Sequence, residues 1–426
     1  MNILLPIETA SRELYAKVLL AYKFAAKNHI SYIGDKSSVS KFSKYVPGAI
    51  YFDKGYHKGV SESTYNMLSA NDIKLVSLDE ENAVDYHNYQ QINLRFPDHI
   101  LSKFDLVFLW GVRQYQYLKN NRSKFDASKT FITGHPRFEL LKEKNRSIYQ
   151  TKTDEYVEKY GDFVLINTNF GLGNNVKGEK FVIDNYGSRF PQIKNLIIYQ
   201  KKQVDFFIDL SIRLSESLDQ KIILRPHPEE NIESYKKHLK NYNNVKVISE
   251  GSVIPWIMAS SSMIHHDCTT GIECAMLSKN SIAYIKDLDR ALTTDIPLRI
   301  SYQYAAISDV ITHIKSESAM PLKIDNDILN DYFNFNCNSI DVIVDSTIEL
   351  ITCKESVTRN YFLHQIILII KNQFKKITKN NVLYENKIKG LDLRNIEAVV
   401  DEYNHTYGKS IVVKQIHQKL FQLKGF

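Results

Sequence analysis

Five short stretches of the 426-residue chain gather residue types that can do chemistry together. Arg225-Pro226-His227-Pro228-Glu229 sets a guanidinium and an imidazole two residues apart, and its prolines restrict the backbone that carries them. Such a pair suits a phosphate or diphosphate. His266-Asp267-Cys268-Thr269-Thr270-Gly271-Ile272-Glu273 reads as a hydroxyl-rich turn that opens a helix. Thr269 or Thr270 can cap that helix, its free N–H groups attract an anion, and Glu273 can bond a hydroxyl such as that of a ribose. Thr168-Asn169-Phe170-Gly171-Leu172-Gly173-Asn174-Asn175 lets a backbone approach a ligand closely at Gly171 and Gly173. It is neither a Walker loop nor a full dinucleotide fingerprint. Asp79-Glu80-Glu81 places three acids side by side, which is costly unless they are solvated, paired or employed. Mutual repulsion and partial burial can raise one of them into the range of acid/base catalysis. Thr133-Gly134-His135-Pro136-Arg137-Phe138 offers a further His and Arg, and Glu8 a single acid. Each stretch also has a plain structural reading: a rigid turn at 225–228, a cap at Asp267 or Glu273, a loop at 168–175, an acidic surface turn at 79–81.

All of these follow short apolar runs. The first series of expected strands is Asn2–Ile7, Ile30–Gly34, Ala49–Phe52, Lys74–Leu78, Leu106–Trp110 and Thr130–Thr133, with helical patterns such as Arg12–Lys27 between them. The second is Phe163–Asn167, Lys221–Leu224, Val245–Ile248, Met263–His265 and Ser281–Ile285. Helical patterns fit Leu196–Leu218, Asn231–Lys240, Ile254–Ser260 and Thr270–Ser278. Apolar runs of this length alternating with helices predict parallel sheets buried on both faces. The polar stretch Asn145–Glu158 is the best linker. The expected fold is therefore α/β, with two Rossmann-like domains facing across a cleft and ligands held beyond the carboxyl ends of the strands. The expected boundaries are 1–150, 151–323 and a helical, basic extension 324–426 without strand alternation.

Composition narrows the function classes. Hydrophobic residues at 43% and charged residues at 24% are those of a soluble globular chain, so disorder is excluded for most of it. The net charge is 55 − 48 = +7, and residues 356–426 alone hold 12 Lys/Arg against 5 Asp/Glu. No basic–aromatic strand motif accompanies that excess, so no nucleic-acid partner is expected. Within 361–380 an apolar face lies beside Lys371, Lys375, Lys376 and Lys379. It reads either as an interfacial helix on anionic lipid or as a core-packed helix with a solvated basic edge. The longest apolar run, 361–370, is too short to span a bilayer, and residues 1–8 do not form a signal peptide. The four cysteines form no CxxC pair, which reads as reduced thiols. A cytoplasmic protein is expected, and only the interfacial reading of the basic tail adds peripheral contact with the inner membrane face.

With these residues in view, the chain resembles bacterial surface-carbohydrate proteins of capsule and O-antigen (lipopolysaccharide) biosynthesis. The resemblance is carried by Val76-Ser77-Leu78-Asp79-Glu80-Glu81, Thr133-Gly134-His135-Pro136-Arg137-Phe138, Ile166-Asn167-Thr168-Asn169-Phe170-Gly171, Arg225-Pro226-His227-Pro228 and 266–273, and it covers about residues 1–310. It is similar to the GT-B glycosyltransferases, including retaining enzymes that move Kdo from its CMP-activated form. Related His-Pro motifs occur in CMP-sialic acid transferases and in CDP-glycerol polymerases of teichoic acid synthesis. The family more often carries Asn at the position of His135.

The resemblance implies a CMP-activated sugar donor held by the second domain. Arg225 and His227 would contact phosphate. Asn169, Gly171, His266, Asp267, Thr269, Thr270 and Glu273 would line the nucleotide site. Asp79, Glu80, Glu81 or Glu8 would supply acid/base or nucleophile chemistry, with His135 and Arg137 elsewhere in the cleft. The implied reaction moves an acidic sugar, Kdo or a nonulosonic acid, to a surface glycan or glycolipid acceptor. A retaining course would need a carboxylate close enough to form a glycosyl-enzyme adduct. No DxD-type metal site is evident, and a GT-B site can neutralise phosphate charge with Arg, His and helix dipoles, so no obligatory metal and no cofactor are expected. Three alternatives stand beside this reading: polyol-phosphate transfer from a CDP-alcohol, 2-epimerisation of a UDP-sugar, and a non-catalytic assembly scaffold.

Overall fold

The structure is a computed structural model that describes residues 1–81, 89–187, 190, 192–316, 320–352 and 382–426. The apolar tract at 361–380 and Cys353 lie outside the described residues. The first sheet collects β1 (Asn2–Ile7), β2 (Ile30–Asp35), β3 (Ile50–Asp53), β4 (Lys74–Leu78), β5 (Leu106–Leu109) and β6 (Thr130–Ile132), parallel throughout. The second collects β7 (Phe163–Asn167), β8 (Lys221–Arg225), β9 (Val245–Val247), β10 (Ser262–His265), β11 (Asn280–Tyr284) and β12 (Tyr302–Tyr304), also parallel. The last two strands, β13 (Ile411–His417) and β14 (Leu420–Gly425), form an antiparallel hairpin that returns to the first sheet beside β2. The sheet orders are β13-β14-β2-β1-β3-β4-β5-β6 and β12-β11-β10-β7-β8-β9.

The central strands are buried on both faces: Ile3, Leu4, Leu5 and Ile7 in β1, and all of Val164–Ile166 in β7, have no exposed surface. That is why they read as unbroken apolar runs rather than alternating ones. The order of the first sheet reverses direction at β1, between β2 and β3. Pro6 carries no N–H for a ladder, and the β1–β3 pairing stops at Leu4↔Tyr51 while β1–β2 runs on to Ile7↔Asp35. The sheet therefore opens at its carboxyl end where the strand order switches, which is where open α/β sheets bind ligands.

The helix Ala10–Ala26 begins immediately beyond that opening. Thr9 is extended, and the Glu13 carboxylate reaches back to the N–H groups of Glu8 and Thr9, both at 3.1 Å. This satisfies donors that the first turn leaves without intrahelical partners. Its apolar face packs Leu14, Val18 and Ala21 into the main core. In the second half, the 25-residue helix Ile193–Ser217 covers β7 and β8 with Val204, Phe207 and Leu214.

Two sequence expectations change here. The proposed linker 145–158 is ordered: a short 3-10 turn at Arg146–Tyr149 leads into the helix Gln150–Tyr160. Tyr156 stacks on Trp256 with ring centroids 3.8 Å apart, so this segment is packed rather than loose. The extension is helical at Asn326–Phe333, Ser339–Thr352, Val382–Ile388 and Leu393–Tyr407, but it ends in the β13–β14 hairpin, where no strands were expected.

Candidate functional site

The carboxyl ends of the two sheets face each other. A cavity of about 90 Å³ lies between them. From the first half it is lined by Thr9, Ser11, Arg12 and Arg137; from the second by Thr168, Arg225, His227, Thr269, Thr270 and Glu273. Three guanidiniums and several hydroxyls thus meet one carboxylate, and that carboxylate is already paired with Arg137 at 2.7 Å. Arg12 in turn meets Glu13 and Glu81, each at 3.3 Å, so among the described residues Arg225 alone of the three has no carboxylate within 4.0 Å, which leaves it for an anion.

The second-half wall is built by one buried acid. Glu230 is 3% exposed and accepts from Thr168 Oγ1 at 2.7 Å, from the N–H of Phe170 at 3.2 Å, from the N–H of His227 at 2.9 Å and from Tyr235 Oη at 2.5 Å. It ties the turn after β7 to the turn after β8. Gly171 packs there too: a Cβ would lie 3.2 Å from Glu229 Cβ, so its freedom serves this internal approach.

His227 Nδ1 accepts from the N–H of Glu229 at 3.3 Å, so the neutral ring carries its proton on Nε2. Burial lowers its pKa to about 4, which keeps the ring neutral near pH 7. It lines the cavity as a hydrogen-bond donor. Arg225 donates to the carbonyls of Gly251 and Glu250 and so holds the loop after β9, while its buried Nε has no partner. Burial lowers its pKa to about 10, which still leaves it charged.

The turn after β10 divides its residues. Thr269 and Thr270 line the cavity, but neither caps the helix Thr270–Met276: Thr269 makes no side-chain capping bond, and Thr270 Oγ1 is buried without a partner. Glu273 sits in the first turn of that helix as expected. Asp267 faces away and closes a loop, accepting from Asn169 Nδ2 at 3.0 Å and from the Thr294 N–H at 2.9 Å. His266 uses both ring nitrogens, on Tyr199 Oη at 2.7 Å and the Tyr284 carbonyl at 2.9 Å. Asn169, His266 and Asp267 line an adjoining cavity of about 210 Å³ that shares His227, Cys268 and Thr269 with the first.

The three acids after β4 have separate surroundings, and none lines the inter-half cavity. Asp79 is 1% exposed and lies 3.3 Å from Arg95; burial raises its pKa to about 6 despite that partner. Glu80 meets Lys17 at 3.0 Å, His135 at 3.4 Å and Arg137 at 3.9 Å. Burial alone would raise its pKa, but Lys17, Arg137 and Arg12 outweigh that and hold it ionised. Glu81 is likewise held well below the usual carboxylate range, with Arg95 and Arg12 prevailing over burial. His135 Nδ1 accepts from the Arg137 N–H at 3.2 Å, and burial with the nearby Arg137 and Lys17 keeps the ring neutral. Glu8 pairs with Lys54 at 2.8 Å, which lowers its pKa, and lines a different cavity.

The sequence reading missed Arg12, Lys17, Arg95 and Glu230. Arg12 lines the cavity; the other three hold in place the acids and the turns around it. Arg12 was legible as a charged residue just beyond the first strand, but it was assigned to a helix face. Among the described residues, no His, Cys, Asp and Glu gather into a group that could hold a metal ion. Among them, too, no helix is long and apolar enough to cross a membrane.

No family model matches the chain, and no curated protein matches it. Solved structures do. A wall teichoic acid polymerase TagF variant soaked with CDPG aligns at TM-score 0.55 and 12% identity, over 83% of this chain and 88% of that one. The UDP-GlcNAc 2-epimerase of Methanocaldococcus jannaschii, in complex with UDP-GlcNAc and UDP, aligns at TM-score 0.53 and 12% identity, over 82% of this chain and the whole of that one. S. aureus MnaA with UDP aligns at TM-score 0.51 and 13% identity, over 84% and 100%. With its two parallel sheets facing across a cleft and its helical extension, the chain has a GT-B-type fold.

Proposed function

We propose that this chain is a carbohydrate-active enzyme of surface-glycan assembly that transfers a group from a nucleotide-activated donor. The observation that carries the reading is the convergence of Arg12, Arg137 and Arg225 with Thr168, Thr269 and Thr270 on one inter-half cavity. Guanidiniums and a neutral imidazole N–H suit the phosphate that leaves with the nucleotide, and their stabilisation grows as negative charge develops there. Glu273 would bond the ribose when it exchanges Arg137 for the ligand.

The finer reading is glycosyl transfer from a CMP-activated acidic sugar, Kdo or a nonulosonic acid, to a glycan or glycolipid acceptor. Its support is the joint presence of the 225–228 and 266–273 motifs on one wall. Asp79, Glu80, Glu81 and Glu8 stay the candidate acids of this reading; burial raises the pKa of Asp79 to about 6, but it does not line the inter-half cavity. A second reading, polyol-phosphate transfer from a CDP-alcohol, is favoured by the likeness to a polymerase soaked with CDPG. It uses the same cluster and releases the same CMP. The likeness to UDP-GlcNAc 2-epimerases keeps UDP among the ligands to be tested.

The test is calorimetric binding of CMP, CDP, UMP, UDP and GDP to the wild type and to His227→Ala. A cytidine preference that weakens at least tenfold in His227→Ala is the expected result. The mass of an acceptor extended from CMP-Kdo or from CDP-glycerol then separates the two cytidine readings. A UDP preference would favour epimerase chemistry, and no binding at millimolar nucleotide would sink the proposal in favour of a scaffold.

A further inference from the structure

A second and larger cavity, about 670 Å³, opens on the first half away from the three arginines. Its walls are β1 and the helices Lys36–Phe42, Ser61–Ala70 and Val382–Ile388. Its floor is apolar, formed by Ile7, Met67, Leu383 and Ile388. Its rim carries Lys36, Lys41 and Lys44 with hydroxyls between them.

The two acids of this cavity are already engaged. Glu8 pairs with Lys54 at 2.8 Å and Lys387 at 3.6 Å. Asp35 accepts from the N–H groups of Ser37 and Ser38 at 3.1 and 3.2 Å. Lys36, Lys41 and Lys44 have no carboxylate within 4.0 Å among the described residues, as the ion pairs show. Lys36 faces Glu8, while no ion pair among the described residues engages Lys41 and Lys44, and an apolar floor under such a cationic rim matches a ligand with an anionic head and an apolar stem.

The position of the cavity is informative too. Lys387 Nζ lies 2.7 Å from Glu229 as well as near Glu8, so it spans the two halves. The Glu229 N–H in turn bonds His227, which lines the inter-half cavity. Lys387, Glu229 and His227 thus form a line of contacts from the wall of one cavity to the wall of the other.

We propose that the 670 Å³ cavity is the acceptor site and that it takes a phosphorylated amphiphile, its phosphate on Lys36, Lys41 and Lys44 and its apolar stem along Ile7, Met67, Leu383 and Ile388. Calling the ligand an acceptor rests on the transferase reading above; its chemistry rests on the cavity alone. A phosphate borne on a lipid-like chain and a free phosphate share the head, so the test separates them.

Binding of octyl phosphate, glycerol 3-phosphate and 1-octanol is measured by calorimetry on the full chain and on a Lys41→Ala/Lys44→Ala variant. Both lysines are exposed, so the variant keeps its fold. The expected result is octyl phosphate at least tenfold tighter than either fragment, and at least tenfold weaker in the variant. CMP and CDP binding should stay within twofold of wild type in that variant. Equal binding of octyl phosphate and 1-octanol, equal binding of glycerol 3-phosphate, or an unchanged variant each overturns the proposal. Lysine-dependent octyl phosphate binding without nucleotide binding would keep the site and defeat the transferase reading; the reverse pattern would defeat the site alone.

Discussion

Arg137 Nη2 lies 2.7 Å from Glu273 Oε1, although the two residues stand at the carboxyl ends of different sheets and 136 positions apart. Both are about 7% exposed. The same guanidinium donates to the Glu80 carbonyl at 3.1 Å, so one side chain ties the acid-bearing turn of the first half to the hydroxyl-bearing turn of the second. Removing one member of such a buried pair leaves the other charge uncompensated, typically at about 3–5 kcal/mol. Arg137→Met should lower the urea midpoint accordingly, and Arg137→Met/Glu273→Gln should lose less than the sum of the single variants. Strict additivity would show that the pair does not couple the halves.

Glu230 offers a second test, because it touches no cavity directly yet positions two turns that do. Glu230→Ala leaves four donors, the Thr168 and Tyr235 hydroxyls and the N–H groups of Phe170 and His227, without their acceptor. Each orphaned buried group costs about 1–3 kcal/mol. The variant should be destabilised by at least about 2 kcal/mol and should bind nucleotide at least tenfold more weakly. Glu230→Gln, which keeps one carbonyl oxygen, should recover part of both.

The pH dependence turns on Asp79. Its pKa is raised to about 6 in the folded chain, against an unfolded value near 3.9. Between those values the native state holds more protons than the unfolded one, so this residue's contribution is full below about pH 4 and is lost as pH rises through about 6. Asp79→Asn removes that titration. The stability of wild type relative to Asp79→Asn should therefore be greatest near pH 4 and fall as pH rises to 6, levelling off above it. A flat difference from pH 4 to 7 would contradict the raised pKa.

Gly271 tests the packing behind the site. A Cβ there would come within 2.5 Å of His265 Nε2. That ring cannot retreat easily, because the same nitrogen bonds Ser301 at 2.9 Å and Ser281 at 3.2 Å. Overpacking of this kind costs about 1–3 kcal/mol. Gly271→Ala should show that loss in thermal melting, with weaker nucleotide binding because the first turn of the helix Thr270–Met276 is displaced. A variant as stable as wild type would show that His265 can move.

The strands were legible in the sequence wherever they are buried on both faces. Asn2–Ile7, Lys74–Leu78 and Phe163–Asn167 fall where the apolar runs place them, since short apolar runs bounded by turn residues and set between helical patterns mark doubly buried strands. The hairpin was not legible. Its turn at Gln418-Lys419 lacks the Asn-Gly or Gly residues that announce one, and β13 buries only Ile411 of its seven residues, so its apolar signal is thin. At the site, residue types were readable but partners were not. His266 and Asp267 line the adjoining cavity, but their bonds to Tyr199, Tyr284, Asn169 and Thr294 could not be read, because those partners lie 18 to 98 positions away. Asp79, Glu80 and Glu81 look alike in sequence; only the distances to Arg95, Lys17 and Arg12 separate a carboxyl that titrates near pH 6 from two held ionised.

The β14–β2 pairing joins Leu420 to Gly34 and Phe421 to Ile33. During synthesis the outer edge of β2 therefore emerges with no neighbour and waits for nearly the whole chain to follow. At roughly 5–20 residues per second, that wait lasts on the order of tens of seconds. The second sheet depends on no such late arrival and can assemble on the ribosome while the first sheet still has an open edge. An unpaired strand edge is a template for pairing with another chain, so the nascent protein is vulnerable to aggregation at β2 until Leu420–Gly425 arrives and closes that edge.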